Sequence, residues 1–515
     1  MKKLILTLFG SIALCSATSV MAQETSYFTN PVIHGDMADP SILRIGDTFY
    51  ATGTSSEWAP HYPVFTSSDL VNWKQVGHIF DRKPEWTSSS FWAPELYYHN
   101  GKVFAYYTAR RKSDGVSYIG VATAKDPAKG FTDHGLLVEF GTEAIDAFVL
   151  EDNGQLYITW KAYGLDNRPI ELLCSKLSAD GLRLEGEPFS LLKDDERIGM
   201  EGQHWFKYGD YYYIIYSING CCGPKSDYAV AVARSKNLKG PYEKYEGNPI
   251  LHGGGEVQSC GHGTFTTLRD GRMFYLCHAY LSGADFYLGR QPILQELVMG
   301  EDKWPHFVTG ETAKLRQPMP FKGVVQQPVT DFEDNFKDKQ LRNEWTWNYV
   351  YSDIDAKFKG GNLFLSGKPK KDSRNGTALC VRPSTSRYAI ETAVINKNQS
   401  FKGLVMYGDD KSQMALGCVG DRLQLKMIID GKTQILNEQP LPASPVYLKM
   451  EVTDGCNCAF FQSADGKKWT AVKGMDAAGT AKDLIPWDRV ARPGLIHCGS
   501  ANEPAVFSFF KMQNL

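Results

Sequence analysis

Several things are scarce in this sequence. Past the opening residues no stretch approaches the roughly 18 continuous apolar residues of a membrane helix, so none is expected to span a bilayer. Helical periodicity is scarce along the whole chain, which points away from helical bundles and toward an all-β protein. Cysteine is sparse, 11 in 515 residues, too few for a disulfide scaffold in a chain whose core is large enough without one. Excess positive charge is missing too. With Lys2 and Lys3 set aside, 54 of the 56 basic residues stand against 58 acidic ones, a formal charge of −4. Nucleic-acid proteins concentrate cations, so no nucleic-acid partner is expected.

What is present begins with Met1-Lys2-Lys3, an apolar run from Leu4 to about Cys15, and Val20-Met21-Ala22. Charged, apolar and small-residue parts in that order make residues 1–22 a secretory signal peptide cut after Ala22, with export to the periplasm or beyond. A lipoprotein signal on Cys15 is the competing reading, but Leu14 is too large for the position before it. Among the cysteines that remain, Cys221 and Cys222 are adjacent and either close an eight-membered disulfide ring or pack as two thiols. Tyr, Phe and Trp are abundant; their flat faces suit sugar rings, although most aromatics of an all-β protein are core.

One phrase then recurs five times: a strand, a tight turn and an aromatic, β-branched strand. It runs as Asp39-Pro-Ser-Ile-Leu-Arg-Ile-Gly-Asp-Thr-Phe-Tyr-Ala-Thr-Gly53 and returns from Trp92, Ile145, Met200 and Gly261. The turns begin at Gly46, Asn100, Asn153, Gly209 and Asp270, in steps of 54, 53, 56 and 61 residues. A near-constant period of this size with hairpin turns is what a β-propeller leaves in a sequence, so five blades are expected over residues 23–308. The innermost strand of each blade starts at one mouth of the central channel. Seven or eight residues before the turns stand Asp39, Asp146, Glu201 and His262, which should therefore share one funnel. Carboxylates held that close perturb one another's pKa values, which is what acid–base chemistry uses.

Arg290, opening the run to Val298, is either a surface charge or a planar donor for a funnel carboxylate or a sugar hydroxyl. Residues 309–330 turn rich in Gln, Pro and Lys and read as a linker lying over a surface. From 331 to 515, alternating runs such as Gly361–Gly367, Tyr388–Val394 and Arg422–Asp430 predict an antiparallel β-sandwich. Its entrance, Asp331 to Phe336, is acidic: a calcium site or solvated turn charges. The module either binds polysaccharide or covers one side of the propeller.

At these residues the chain resembles glycoside hydrolase family 43, from about Asn30 to Pro305, with a tail like the concanavalin-like (jelly-roll) sandwich of the family's β-xylosidases and α-L-arabinofuranosidases. The resemblance implies roles. Asp39, in Asp-Pro-Ser, matches the general base; Glu201, in Glu-Gly, the general acid; Asp146 the carboxylate that tunes and orients the acid by holding its pKa up. His262 falls on the family's Gly-His motif, near which many members hold a calcium ion, though no cofactor is required. Arg290 and Trp92, the latter in Trp-Ala-Pro, match substrate-binding positions. His262 as general base is the rival assignment. Gly202-Gln203 departs from the usual Gly-Pro after the acid.

The expected activity is that of an exo-acting inverting glycoside hydrolase, a monomer that releases terminal non-reducing α-L-arabinofuranosyl residues from plant cell-wall polysaccharide side chains or oligosaccharides. A β-xylosidase on xylo-oligosaccharides is the nearest alternative. An endo-arabinanase needs an open groove, and a non-catalytic sugar-binding propeller would be signalled by loss of a carboxylate; none is lost.

Overall fold

A computed structural model describes residues 26–163, 169–370, 373, 375–474, 479–485 and 489–515. The leader expected over residues 1–22 lies outside them. Five four-stranded antiparallel sheets follow one another, over residues 41–80, 87–138, 144–193, 200–244 and 257–307. Each is a meander in which sequence neighbours are spatial neighbours, and together they are the blades of a five-bladed β-propeller.

The repeated phrase supplies the first two strands of each blade. Asn100-Gly101 and Asn153-Gly154 have positive φ at both residues (49° and 76°, 51° and 79°), as a two-residue hairpin turn that matches strand twist requires. The fifth hairpin is looser, since Thr267 pairs with Met273 across five intervening residues. Between blades the aromatic strands interlock: Phe104, Tyr106, Val149, Ile158 and Trp160 bury together between the second and third. Most aromatics are thus core, as the composition led one to expect.

Among the described residues no strand crosses the seam between the fifth and first blades, because each is built from one contiguous segment. Backbone bonds from Val32 N to Pro292 O (3.0 Å) and from Met37 N to Arg290 O (2.9 Å) close the ring together with side chains. The Asn30 amide donates to Leu294 O (3.0 Å) and its oxygen accepts from Leu294 N (2.8 Å). Gln291 accepts from Gly35 N (2.9 Å), Thr264 Oγ1 from Ile42 N (2.9 Å) and His278 Nδ1 from Asp39 N (3.0 Å).

The connecting segment lies over this seam: Arg316–Pro318 pairs with Tyr27–Thr29, and Gln326 exchanges two 2.8 Å hydrogen bonds with Thr29. Strands from Phe332 to Asn514 then form an eight-stranded and a six-stranded antiparallel sheet around a core that includes Leu365, Ile390, Leu416, Leu448 and Phe507. The acidic entrance is spent on local structure. Asp334 accepts from Phe336 N and from the buried Trp345 indole, both at 2.8 Å, which favours turn capping over the calcium alternative.

Of the two uses considered for the sandwich, packing against the propeller is the one seen. Trp347-Asn348 pairs with Trp58-Ala59, and the Arg492 guanidinium lies 4.2 Å over the Trp58 ring. Arg492 also reaches Asp36 Oδ2 at 3.5 Å, while Asp36 Oδ1 accepts from Arg290 N at 3.1 Å. A sandwich residue therefore supports the segment that leads into Asp39.

Candidate active site

The inner strands of the last four blades begin with a break in register, after Trp92, Ile145, Glu201 and Gly261. The residue at each break, with its counterpart ahead of the first blade, has left-handed backbone: Asp39 (φ 51°), Ala93 (40°), Asp146 (58°), Gly202 (60°) and His262 (43°). Such bulges re-aim a side chain, here toward the axis, and all five residues line one axial cavity. Asp39, Asp146 and His262 are therefore equivalent, as the turn spacing predicts. Glu201 is not their equivalent. The fourth blade's ring position is Gly202, where a Cβ would lie 2.7 Å from the His262 ring; Glu201 stands one residue earlier, in the register of Trp92. The offset of eight seemed common to Glu201 and His262 because the fifth hairpin is longer.

A second ring lies eight residues after each turn, on or just past the second strands: Thr54, Thr108, Lys161, Ser217 and His278. Four of them accept the ring N–H of the next blade. Thr54 Oγ1 takes Ala93 N (2.8 Å), Thr108 Oγ1 takes Asp146 N (3.2 Å), Ser217 Oγ takes His262 N (2.7 Å) and His278 Nδ1 takes Asp39 N (3.0 Å). Lys161 has no lone pair to offer while charged. Asp146 Oδ2 accepts Gly202 N in its place (3.1 Å), and the Lys161 ammonium donates to Glu201 Oε2 at 2.8 Å.

Contacts link the carboxylates around one mouth. His262 Nδ1 is 3.4 Å from Asp39 Oδ1 and 3.9 Å from Asp146 Oδ2, and Asp146 bonds the residue next to Glu201. The three differ in charge preference. Burial alone would raise the pKa of Asp39, but His262 and Arg290 overcome it and hold the carboxyl far below the usual range. Thr54 adds a 2.5 Å hydrogen bond to its Oδ2. Asp146 is pushed up to about 7 by burial and by repulsion from Glu201 and Asp39, against His262 and Lys161. Glu201 is lowered: burial works against ionisation, but Lys161, His262 and the Tyr228 hydroxyl, 2.9 Å from Oε1, prevail. Repulsion from Asp146, expected to hold the pKa of Glu201 up, is thus opposed at Glu201 by the neighbouring Lys161. Lys161 favours the ionised form of Glu201, whereas burial favours the protonated form of Asp146.

Arg290 is buried with Nη1 3.6 Å from Asp39 Oδ1, which decides for the pairing reading over the surface one. Trp92 is half-buried, one residue before Ala93, with the Arg110 guanidinium 5.7 Å from its ring centre. Sequence reasoning missed Lys161, His278 and Tyr228, and also Glu95, whose buried carboxyl is pushed up to about 8 by desolvation. His262 is the residue beside which a calcium ion is implied. Its Nδ1 faces two carboxylates at 3.4 and 3.9 Å, and among the described residues no group of three or more His, Cys, Asp or Glu side chains is placed to hold a metal ion. These residues do not fit a calcium ion there, and no step below uses one.

The model of glycosyl hydrolases family 43 matches residues 28–305, and that of the β-xylosidase C-terminal concanavalin A-like domain matches residues 333–494. Among characterised proteins the chain is similar to a non-reducing end α-L-arabinofuranosidase of Bacteroides ovatus, 30% identical across 80% of this chain and 79% of that one. It is also similar to a β-xylosidase of Bacillus subtilis, 26% identical across 86% and 90%. A family 43 crystal structure from Bacillus licheniformis superposes with a TM-score of 0.81 at 21% identity, covering 95% of this chain and all of the other. With the propeller, its appended sandwich and a family match over more than half its length, the chain belongs to glycoside hydrolase family 43.

Proposed function

We propose that this enzyme is an exported, monomeric, exo-acting inverting glycosidase that removes terminal non-reducing α-L-arabinofuranosyl units from plant cell-wall polysaccharide side chains or oligosaccharides. One observation carries the reading: three carboxyls meet at a single mouth in different company, Asp39 beside Arg290 and His262, Glu201 bonded by Lys161 and Tyr228, and Asp146 between them bonding Gly202 N. Inversion needs that asymmetry, a carboxylate to activate water on one side of the sugar and a protonated carboxyl on the other, roughly 6.5 to 9.5 Å apart.

Asp39 takes the proton of the attacking water, its charge fixed by Arg290 and His262. Glu201 donates to the leaving oxygen. In the free enzyme it is ionised against Lys161, so the entering glycosidic oxygen displaces the ammonium and the proton held on Asp146 passes to Glu201. No covalent intermediate forms. Trp92 and Arg290 bind the sugar, and His262 spaces Asp39 from Asp146.

Arabinofuranose is favoured by similarity, through both domains, to a protein named as a non-reducing end α-L-arabinofuranosidase. A β-xylosidase is the second reading, favoured by the match of the sandwich to the C-terminal domain of β-xylosidases. Parallel assays on the nitrophenyl α-L-arabinofuranoside and β-D-xylopyranoside separate them. Asp39→Ala and Glu201→Ala should each lower kcat by about a thousandfold or more with an unchanged circular-dichroism spectrum; a near-normal rate in either removes that residue from its role.

A further inference from the structure

Among the described residues there is one disulfide, and it joins neighbours, Cys221 and Cys222. The other described cysteines are thiols, buried except for the partly exposed Cys498. The ring sits in the loop that links the second strand of the fourth blade, Tyr211–Ile218, to the third, Ala229–Ser235. That loop is already fastened without it. Gly220 N donates to Asp227 Oδ1 (2.9 Å), Ser226 Oγ to Gly220 O (2.9 Å) and Gly223 N to Tyr280 Oη (3.2 Å). A staple alone is therefore a weak account of the disulfide.

Its position gives a better one. Arg290 Nη1 donates to Cys222 Sγ at 3.6 Å and stands 3.6 Å from Asp39 Oδ1, so one guanidinium nitrogen bridges the sulfur and the ionised carboxylate. Just past the ring, Tyr228 bonds Glu201. The loop thus reaches Glu201 directly through Tyr228 and Asp39 through Arg290, the two carboxyls that must face each other across a sugar. Both cysteines are half-buried, within reach of a ligand, and Arg290 beside them is buried.

We propose that the Cys221–Cys222 ring is a wall of the sugar-binding pocket: it holds Arg290 against Asp39 and presents a rigid, weakly polar sulfur face to the C–H face of a terminal pentose. The inference rests on the mouth being a glycosidase pocket. A disulfide suits the place better than two thiols. Its sulfurs only accept, which complements a guanidinium that only donates, whereas an S–H is itself a donor. Closing the ring also removes the rotamer freedom of two side chains, so less entropy is lost when a sugar is bound.

The test uses the full-length enzyme and whichever nitrophenyl pentoside it hydrolyses better. One arm is the double variant Cys221→Ser/Cys222→Ser. The other is the native protein reduced with a water-soluble phosphine without denaturant; the S–S bond breaks, water supplies two thiol protons, and its oxygen leaves on the phosphine oxide. Alkylation and intact mass verify that two further thiols have appeared. In both arms KM should rise about tenfold with kcat within about threefold, inhibition by free pentose should weaken in parallel, and reoxidation should restore the reduced sample. Unchanged KM and pentose inhibition after verified reduction overturn the proposal, as does a loss of thermal stability alone. Should the variant fail to fold, the reduced native enzyme decides. Native protein inert on both glycosides sinks instead the reading of the mouth as a glycosidase pocket.

Discussion

Four blades and the third answer one requirement differently. In every blade the bulged residue at the axis presents a backbone N–H to the preceding blade, and buried N–H groups need acceptors. Thr54, Thr108, Ser217 and His278 provide them, three hydroxyls and an imidazole. The third blade offers a cation at that place and leaves the task to Asp146. The common solution stabilises the ring; the exception arranges charge. A repeat thus acquires chemistry where one copy abandons the shared structural duty.

The largest expected effect on this contrast comes from Asp146→Asn, which removes the pair's proton store. kcat should fall about a hundredfold or more. Glu201 then lacks a repelling neighbour, its pKa drops further, and the alkaline limb of kcat/KM moves to lower pH; an unmoved limb would separate Asp146 from the acid. Lys161→Met keeps the apolar stem and deletes the charge. An ammonium favours ionised carboxyls, so its loss raises the pKa values of Asp146 and Glu201 and should carry the alkaline limb upward, with kcat reduced by about tenfold. A limb that stays or falls would show that Lys161 does not govern the pair. The smallest kinetic change belongs to Ser217→Ala in an ordinary blade. It strips the acceptor from His262 N and should cost about 1 to 3 kcal/mol in urea unfolding while leaving both pH limbs in place. Should it shift them as Lys161→Met does, the distinction between the third blade and the rest dissolves.

Much of this was legible because turn chemistry is local. The Asn-Gly turns and aromatic strands announced five hairpins, and counting back from the turns found Asp39, Asp146 and His262. Counting forward by eight would have found Lys161 and His278, but those positions lie inside buried strands whose text reads as packing. The offset between Glu201 and Gly202 was hidden because a bulge adds a residue without a sequence mark of its own. Tyr228 and Arg492 arrive by routes that no period records: one through a loop, the other from a sandwich strand reaching Asp36. The pKa order of Asp146 and Glu201 depended on the unforeseen lysine.

The closure of the propeller carries a mechanical consequence. Among the described residues no strand is shared across the ends; the ring is clasped at the junction of its last and first blades by a few backbone and side-chain hydrogen bonds, and one of them ends on the amide of Asp39. Thermal breathing should open the circle at this clasp first, and any widening there carries the water-activating carboxylate away from its acid partner. Warming should therefore extinguish hydrolysis while most of the β-structure is still intact.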